Sequence, residues 1–242
     1  MTSVPDDLSP SDPQNENRDA SVRRMKAEAV RRLADRQFVD LDTRAVALGA
    51  GLEPAEAQRL FQDEEALLTA LILDAYHGMG ESAENAAEAA GAAGAGLLGR
   101  WTAIWQGVRS WALANPEEYV LIWGRPVPGY SAPPETMAAG ARTVLALIGL
   151  LREAQKDGAL MGGRPGEPPL SEGMARNAEA LAAGLLEGLP LPVVARMLVV
   201  WTQLHGMVGF EVNGHIAGVA ADPAAFFDHA AAAMGEFAGL PR

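Results

Sequence analysis

Two stretches of this chain combine residue types that could do chemistry. Between Arg18 and Arg44 basic side chains outnumber acidic ones, although the chain of 242 residues carries a formal net charge of -12. Such a basic patch can contact nucleic-acid phosphates. Near the C-terminus, the apolar run WTQLHGMVGFEVNGHIAGV contains Trp201, His205 and Gly206 at helical spacing. Rings and an imidazole in this arrangement could hold a small apolar molecule.

Most catalytic and metal-binding arrangements are missing from the sequence. It has no cysteine, Gly-x-Ser-x-Gly elbow, phosphate-cradling glycine loop or His-Glu-x-x-His pair, so we expect neither an enzyme nor a cofactor. Glu211 and His215 could share a helix face, but two ligands without a third favour an ion pair over a metal site. The lack of cysteine also fits an intracellular protein.

The composition favours helices to position these residues. Alanine is abundant and β-branched or aromatic clusters are sparse, so we predict an all-α fold of about ten helices. Three short helices are expected first: an amphipathic one with a basic outer face, one capped by Asp42, and one opened by Pro54. Their predicted ranges are 20–36, 42–50 and 54–61.

Longer helices are predicted after these three. Asp63 is placed to cap a helix with a leucine stripe, and Asn115-Pro116, Ser171 and Asp222-Pro223 are further start signals. Four prolines make 124–134 a loop. The remaining helices are expected from 97, from 116, at 135–156, 172–186 and 193–219, and from 223.

The ends of the chain and its apolar runs give no sign of a membrane. Residues 1–19 lack the basic start and apolar core of a secretory signal, and their prolines, acids and amides predict a disordered tail. The longest apolar run, Val144 to Leu151, is shorter than the roughly 20 residues that a spanning helix needs. We therefore expect a cytoplasmic protein without a membrane span.

The N-terminal pattern resembles the DNA-binding end of TetR-family regulators. Gly51-Leu52-Glu53, Phe61 and the segment Asp63 to Leu68 occupy the places of that family's turn, phenylalanine and leucine-paired helix. The segments NPEEYVLIWGRPVPGYSAPPE and WTQLHGMVGFEVNGHIAGV resemble the ligand-binding domain of a TetR subgroup named for its Trp-His-Gly motif. The resemblance implies a helix-turn-helix domain at 20–66 and a helical ligand-binding and dimerisation domain at 67–242.

The resemblance also implies which residues meet double-stranded DNA. The third helix would enter the major groove, where Gln58 and Arg59 have the side chains that pair with adenine and guanine edges. Glu53 and Glu56 on that helix would face phosphate repulsion, so a degenerate head in a ligand- or partner-binding dimer is the alternative. Phosphate contacts are expected from Arg23, Arg24, Thr43 and Arg44.

Aromatic and methionine side chains of the larger domain are candidates for a ligand cavity. Core packing is the competing interpretation for each of them. His205 could be the cavity's polar group or could simply bond to a neighbouring helix. The candidates are Trp105, Trp123, Tyr130, Met137, Trp201, His205, Met207 and Phe210, and so apolar a set predicts a small hydrophobic or aromatic ligand.

The resemblance further implies a homodimer that acts as a repressor. Dimerisation would use the helices at 172–186 and 193–219, where Gly206, Gly209, Gly214 and Gly218 suggest close backbone approach or a bend. Two-fold symmetry then implies a near-palindromic operator with half-sites about 34–36 Å apart.

Overall fold

Eleven α-helices and no strand occur in the described residues, which are 13–36, 41–163 and 166–242 of a computed structural model. The prediction of an all-α fold is confirmed. The helices are α1 (Pro13–Arg36), α2 (Thr43–Gly49), α3 (Pro54–Leu60), α4 (Glu64–Ala92), α5 (Leu97–Ala114), α6 (Pro116–Trp123), α7 (Pro134–Gly140), α8 (Arg142–Lys156), α9 (Glu172–Ala182), α10 (Leu191–Val212) and α11 (Pro223–Ala238).

The predicted helix starts hold at several places and fail at two. Asp42, Asp63, Ser171 and Asp222 each cap a helix through a side-chain oxygen. Asn115 does not, because its amide donates back to the carbonyl of Trp111 at 2.8 Å. The first helix also begins earlier than expected. Residues 13–19, predicted as tail, are helical, since Pro at the start loses no hydrogen bond and Glu16 suits the first turn; residues 1–12 lie outside the described chain.

Glycines divide two helices that the sequence predicted as continuous. The expected helix 135–156 is split at Ala141, beside Gly140, whose backbone lies so close to the Tyr76 ring that a Cβ there would be 3.2 Å away. The expected helix 193–219 stops at Val212. Gly214 and Gly218 follow with φ of 74° and 77°, a conformation that ends a helix and that glycine adopts without strain.

The first compact unit runs to Leu71 and also includes Val127–Tyr130. Its core consists of apolar side chains from α1, α2, α3 and the start of α4. Glu28 lies at the junction of α1 and α2 and is only 9% exposed. Arg31 and Arg32 donate to its carboxylate at 2.7–2.8 Å, and Arg32 also donates to the carbonyl of Ala45 on α2. The ion pairs orient Arg32 within α1, and its bond to Ala45 ties α1 to α2.

The second unit comprises Ile72–Pro126 and Ser131–Arg242 and is built around α5, which contacts α6, α8, α10 and α11. Trp101 and Trp105 on α5 are fully buried. The indole of Trp101 donates to the carbonyl of Ala231 on α11 at 3.0 Å. Gly107 brings α5 against α4, because a Cβ at this position would lie 2.5 Å from the carbonyl oxygen of Ser82. This crossing requires glycine.

Helix α10 is the most apolar long helix of the second unit. Among the described residues it alone is long and apolar enough to cross a membrane by length and composition, and half of the relevant segment is buried inside the fold. Val193, Val200, Leu204 and Val208 all lie in the core. Packing against α5, α9 and α11 therefore accounts for its composition.

The Glu28 cluster predicts how the stability of the first unit depends on pH. Hydrogen bonds from Arg31, followed by those from Arg32, lower the pKa of Glu28 from 4.5 to about 2. Because the folded-state pKa is depressed, the stabilisation is complete above 4.5 and is lost as the pH falls towards 2. Glu28→Gln should lower the free energy of unfolding at pH 7 by about 1.5–3 kcal/mol and should flatten its decline below pH 5.

Urea unfolding of the wild type and the variant across this pH range measures both effects. Glu88→Gln is the matched control, since Glu88 is exposed. A decline below pH 5 that is as steep in Glu28→Gln as in the control would contradict the assignment.

Candidate functional site

Two regions of the described structure bring candidate residues together, one in each compact unit. In the first unit, a groove of about 620 Å³ is lined by side chains from α2, α3 and the start of α4. Thr43 and Arg44 on α2 and Gln58 on α3 line it together. The sequence predicted all three for one surface, and the structure brings them to one surface.

The third helix exposes the two side chains that were predicted to read bases. Gln58 and Arg59 both point away from the core, whereas Ala57 between α3 and its neighbours is buried. The Nε of Arg59 donates to the carbonyl of Ala55 at 3.0 Å. This bond holds the stem of Arg59 along its own helix and leaves other guanidinium donors for a partner.

Glu56 is engaged inside the first unit. The hydroxyl of Ser21, a buried residue on α1, donates to its carboxylate at 2.8 Å, and Arg24 donates to the Ser21 oxygen at 3.2 Å. This chain of bonds ties α3 to α1. Glu53 and Glu56 are the two acidic residues that were expected to oppose DNA binding by the third helix. Of these, only Glu53 is exposed.

The candidate phosphate-binding residues flank this surface on α1 and α2. Arg23, Arg24 and Arg44 are exposed, and Thr43 is half-buried. The backbone N–H of Arg44 donates to the cap residue Asp42, which fixes the first turn of α2. Their role in binding stays a prediction, but each has a side chain that solvent, and hence a partner, can reach.

In the second unit, a cavity of about 410 Å³ lies among α4, α6, α7, α8, α9 and α10. None of the fourteen described residues that line it carries a charge. Met137 is 76% exposed and stands at the rim. The lining residues are Tyr76, Trp123, Ala132, Thr136, Met137, Gly140, Ala141, Val144, Leu181, Leu185, Leu186, Met197, Leu198 and Trp201.

A cluster of rings forms one side of this cavity. The rings of Trp123 and His205 stack with centroids 3.7 Å apart, and Trp201 meets both edge-on at 5.3 and 4.3 Å. Behind them the hydroxyl of Tyr119 donates to the carbonyl of His205 at 3.0 Å and lies 3.4 Å from Nδ1. His205 thus both bonds to a neighbouring helix and adjoins the cavity wall.

The enclosure of this cluster changes the protonation of its titratable members. Burial lowers the pKa of His205 to about 3 and raises that of Tyr119. Both groups are therefore uncharged at neutral pH, the imidazole because no acidic partner offsets its loss of solvent.

The structure separates the remaining candidates for the cavity from it. Trp105 is core, packed against the ring of Phe227 at 5.8 Å. Tyr130 belongs to the first unit, where its hydroxyl lies 3.0 Å from that of Thr69 on α4. Met207 and Phe210 line a second pocket of about 350 Å³ between α10 and α11. Both residues lie at helical spacing on α10, but they face the pocket beside α11 and not the cavity.

Glu211 pairs with Arg109 rather than with His215. The guanidinium of Arg109 on α5 donates to both carboxylate oxygens of Glu211, at 2.7 Å from Nε. This hydrogen bonding raises the pKa of Arg109. His215 follows the end of α10 and instead contacts the ring of Phe210 at 5.6 Å. The helix stops between the two residues, so they do not share its face.

Several cavity residues were missed by sequence reasoning. Tyr76 stands on α4 next to an apolar stripe, and Val144, Met197 and Leu198 lie in amphipathic or apolar helices. No local signal separates such residues from core residues, since the same side chains and spacing serve both purposes. Only Tyr76, an aromatic in an otherwise alanine-rich part of α4, offered a hint.

Known proteins share this fold and similar sequences. The family model for a "Tetracyclin repressor-like, C-terminal domain" matches residues 101–234, which include most of α5, all of α10 and every lining residue of the cavity except Tyr76. The chain belongs to the TetR family of transcriptional regulators. Its first compact unit holds α1 to α3 and the start of α4, and its second unit holds the remaining helices.

Named relatives of this TetR-family regulator are themselves transcriptional regulators. The HTH-type transcriptional regulators Rv1816 of Mycobacterium tuberculosis and Mb1846 of Mycobacterium bovis are each 30% identical over 206 residues, covering 82% of this chain and 83% of theirs.

Solved structures show the same fold. A protein described as regulatory, SCO4313, is 26% identical with a TM-score of 0.71, covering 92% of this chain and 98% of its own. A TetR-family transcription regulator from Marinobacter aquaeolei is 16% identical with a TM-score of 0.61, covering 94% and 100%.

The pKa of His205 predicts a measurable difference among the four histidines. Across pH 5 to 8 the ring resonances of His205 should not shift, because the group stays neutral well below its ordinary pKa of 6.5. An NMR titration that records the ring resonances of all four histidines measures this. His205→Gln identifies the resonance, and a midpoint for it between pH 6 and 7 would contradict the enclosure described above.

Proposed function

We propose that this TetR-family regulator is a cytoplasmic, homodimeric repressor that releases its operator when a small hydrophobic or aromatic molecule binds in the body cavity. The observation that carries the DNA-binding part is the exposure of Gln58 and Arg59 on α3 together with the engagement of Glu56 by Ser21. Gln can bond to adenine and Arg to guanine in the major groove. The bond from Ser21 holds the Glu56 carboxylate against α1, so of the two acidic residues on this helix only Glu53 is exposed.

The basic side chains around α3 supply the second requirement for DNA binding. Arg23, Arg24 and Arg44 are exposed and could each neutralise a phosphate. Glu53 also remains exposed and supports the second candidate function, a ligand- or partner-binding dimer whose head no longer reads sequence. The two functions differ in whether operator selection yields a defined site.

The proposed dimer uses α9 and α10, as the family resemblance implies. On α10, Val199 and Phe210 are 45% and 58% exposed, and a Cβ added at Gly206 or Gly209 would meet nothing within 4 Å. These residues recur at a spacing that keeps them near one face of the helix. A second copy packed there would cover apolar surface that a monomer leaves in water.

Helix α4 is the proposed link between cavity and head. It is continuous from Glu64 to Ala92, and it carries both Leu67, which is buried in the first unit, and Tyr76, which lines the cavity. A ligand that favours one position of Tyr76 would therefore act on the same helix that holds α1 to α3. A typical coupling would change operator affinity by about 5–150-fold.

DNA recognition by the head is tested by operator selection followed by affinity measurements with single variants. Specific binding is expected in the range of about 10⁻⁸–10⁻¹¹ M, with a steep loss as salt rises. Arg59→Ala should relax the preference at one base pair by about 1–3 kcal/mol, whereas Arg24→Ala should weaken all sequences alike and reduce the salt slope by about one.

Arg152→Ala is the control for these two variants, because Arg152 lies on α8 in the second unit and bonds to the carbonyls of Leu185 and Glu187. Selection of random sequences only, with equal affinity for all of them, would support the degenerate head instead.

Effector control is tested by filling the cavity. Val144→Phe adds a ring to a lining position and should reduce binding of hydrophobic molecules by at least about tenfold, because a filled site loses the space that the ligand needs. Operator affinity without ligand should stay within about threefold of the wild type, since the substitution lies outside the head.

Leu145→Phe, at an exposed position next to it that does not line the cavity, is the matched control. Isothermal titration and operator binding with and without an inducing molecule measure both properties. Induction that is equally strong in Val144→Phe and in the control would argue against this cavity.

A further inference from the structure

Two nitrogen atoms beside the cavity are buried without a hydrogen-bond partner in the described structure. They are Nε1 of Trp123 and Nε2 of His205, and they belong to rings that stack 3.7 Å apart. Buried polar atoms are nearly always satisfied, so two orphaned atoms in adjoining rings need an explanation. His205 does not itself line the cavity but stacks on Trp123, which does. Trp105 Nε1 and Thr143 Oγ1 are likewise unpartnered, but those residues neither line the cavity nor belong to this ring cluster.

The two nitrogens have complementary hydrogen-bonding roles. An indole nitrogen only donates. The hydroxyl hydrogen of Tyr119 is directed to the carbonyl of His205 at 3.0 Å, so the Tyr119 oxygen is left to accept from Nδ1 at 3.4 Å. In that tautomer Nε2 of His205 carries a lone pair and can only accept. One donor and one acceptor are therefore unpaired, and a hydroxyl group can serve both because it accepts and donates.

The rest of the cavity restricts the molecule that could bring such a hydroxyl. Trp123 and Trp201 line the wall, and Trp201 contacts both rings of the stacked pair. The described lining residues include no charged side chain, and burial lowers the pKa of His205, the adjoining titratable group, so that it is neutral. An ionised ligand would lose its hydration here without gaining a counter-charge.

We infer that the ligand of this cavity is an uncharged, largely apolar aromatic molecule with one hydroxyl group, which accepts from Trp123 Nε1 and donates to His205 Nε2. Neither nitrogen is reached by solvent, so side chains of the wall must shift slightly as the ligand enters. The inference rests on the proposed function, because it assumes that the cavity binds a small molecule. It makes Trp123 and His205 residues that determine specificity.

Three probes of similar shape test the inference on the full-length protein at pH 7. They are 2-naphthol, 2-methylnaphthalene and 2-naphthoate, which place a hydroxyl, a methyl or a carboxylate on the same ring system. Isothermal titration should show 2-naphthol binding at least about tenfold more tightly than 2-methylnaphthalene, because the methyl compound leaves both nitrogens unpaired. 2-Naphthoate should bind more weakly than either.

Substitutions assign the preference to the two nitrogens. Trp123→Phe keeps an aromatic ring but removes the N–H, and His205→Leu removes the acceptor. Each should bring the affinity ratio of 2-naphthol to 2-methylnaphthalene close to one. Trp105→Phe is the matched control, since it removes an equally orphaned indole N–H that lies in the core. Circular dichroism verifies that each variant is folded.

The possible results separate this inference from the proposed function. Equal affinity for the hydroxyl and methyl probes, or tighter binding of 2-naphthoate, overturns the inference and leaves the cavity as a binding site. A preference for 2-naphthol that survives in both Trp123→Phe and His205→Leu overturns it as well. Failure of every probe to bind overturns both proposals, whereas the expected order without any change in operator affinity contradicts only the proposed release of DNA.

Discussion

The packing of α5 is the constraint on which the rest of the second unit depends. This helix contacts α6, α8, α10 and α11, and its two fully buried tryptophans have no alternative apolar environment of comparable size. The indole of Trp101 is bonded to α11, Gly107 permits close contact with α4, and Arg109 is paired with Glu211 on α10. Each of these contacts fixes one neighbouring helix, so α5 sets the frame in which the cavity can exist.

The cavity lies where the helices around α5 are spaced further apart. Its wall takes residues from α4, α6, α7, α8 and α10, together with the α9 segment. Large side chains such as Tyr76, Trp123 and Trp201 meet there without filling the space between them. The same ring types are used as core by α5, so the distinction between core and cavity lies in how the backbones are spaced. Close packing elsewhere in the unit makes such an unfilled apolar space unusual.

Charge in the first unit is arranged so that acidic groups are used internally. Glu28 is bound by Arg31 and Arg32, and Glu56 by Ser21. The bond from Ser21 joins α1 to α3, and a bond from Arg32 to the carbonyl of Ala45 joins α1 to α2, which positions the third helix. They also leave Arg23, Arg24 and Arg59 exposed in a chain whose formal net charge is -12. The distribution of partners, and not the net charge, therefore determines which surface could approach an anion.

The sequence by itself determined the helical class and most helix starts, because these depend on local properties. Proline at a first position, an aspartate that caps, and apolar spacing act within a few residues of one another. The boundary errors have the same origin: Pro13 could start a helix, and Gly214 could end one, only in conformations that the rest of the fold allows.

Only the tertiary structure decided which aromatic residues form the cavity. Trp105, Trp123 and Trp201 were all candidates for the cavity, yet Trp105 lies in the core and the other two line the cavity wall. The partner of Glu211 proved to be Arg109, which is distant in sequence, and the orphaned nitrogens of Trp123 and His205 depend on contact between α6 and α10. Such features arise from the spacing between helices, which no single helix encodes, because the free energy of packing depends on all the neighbours at once.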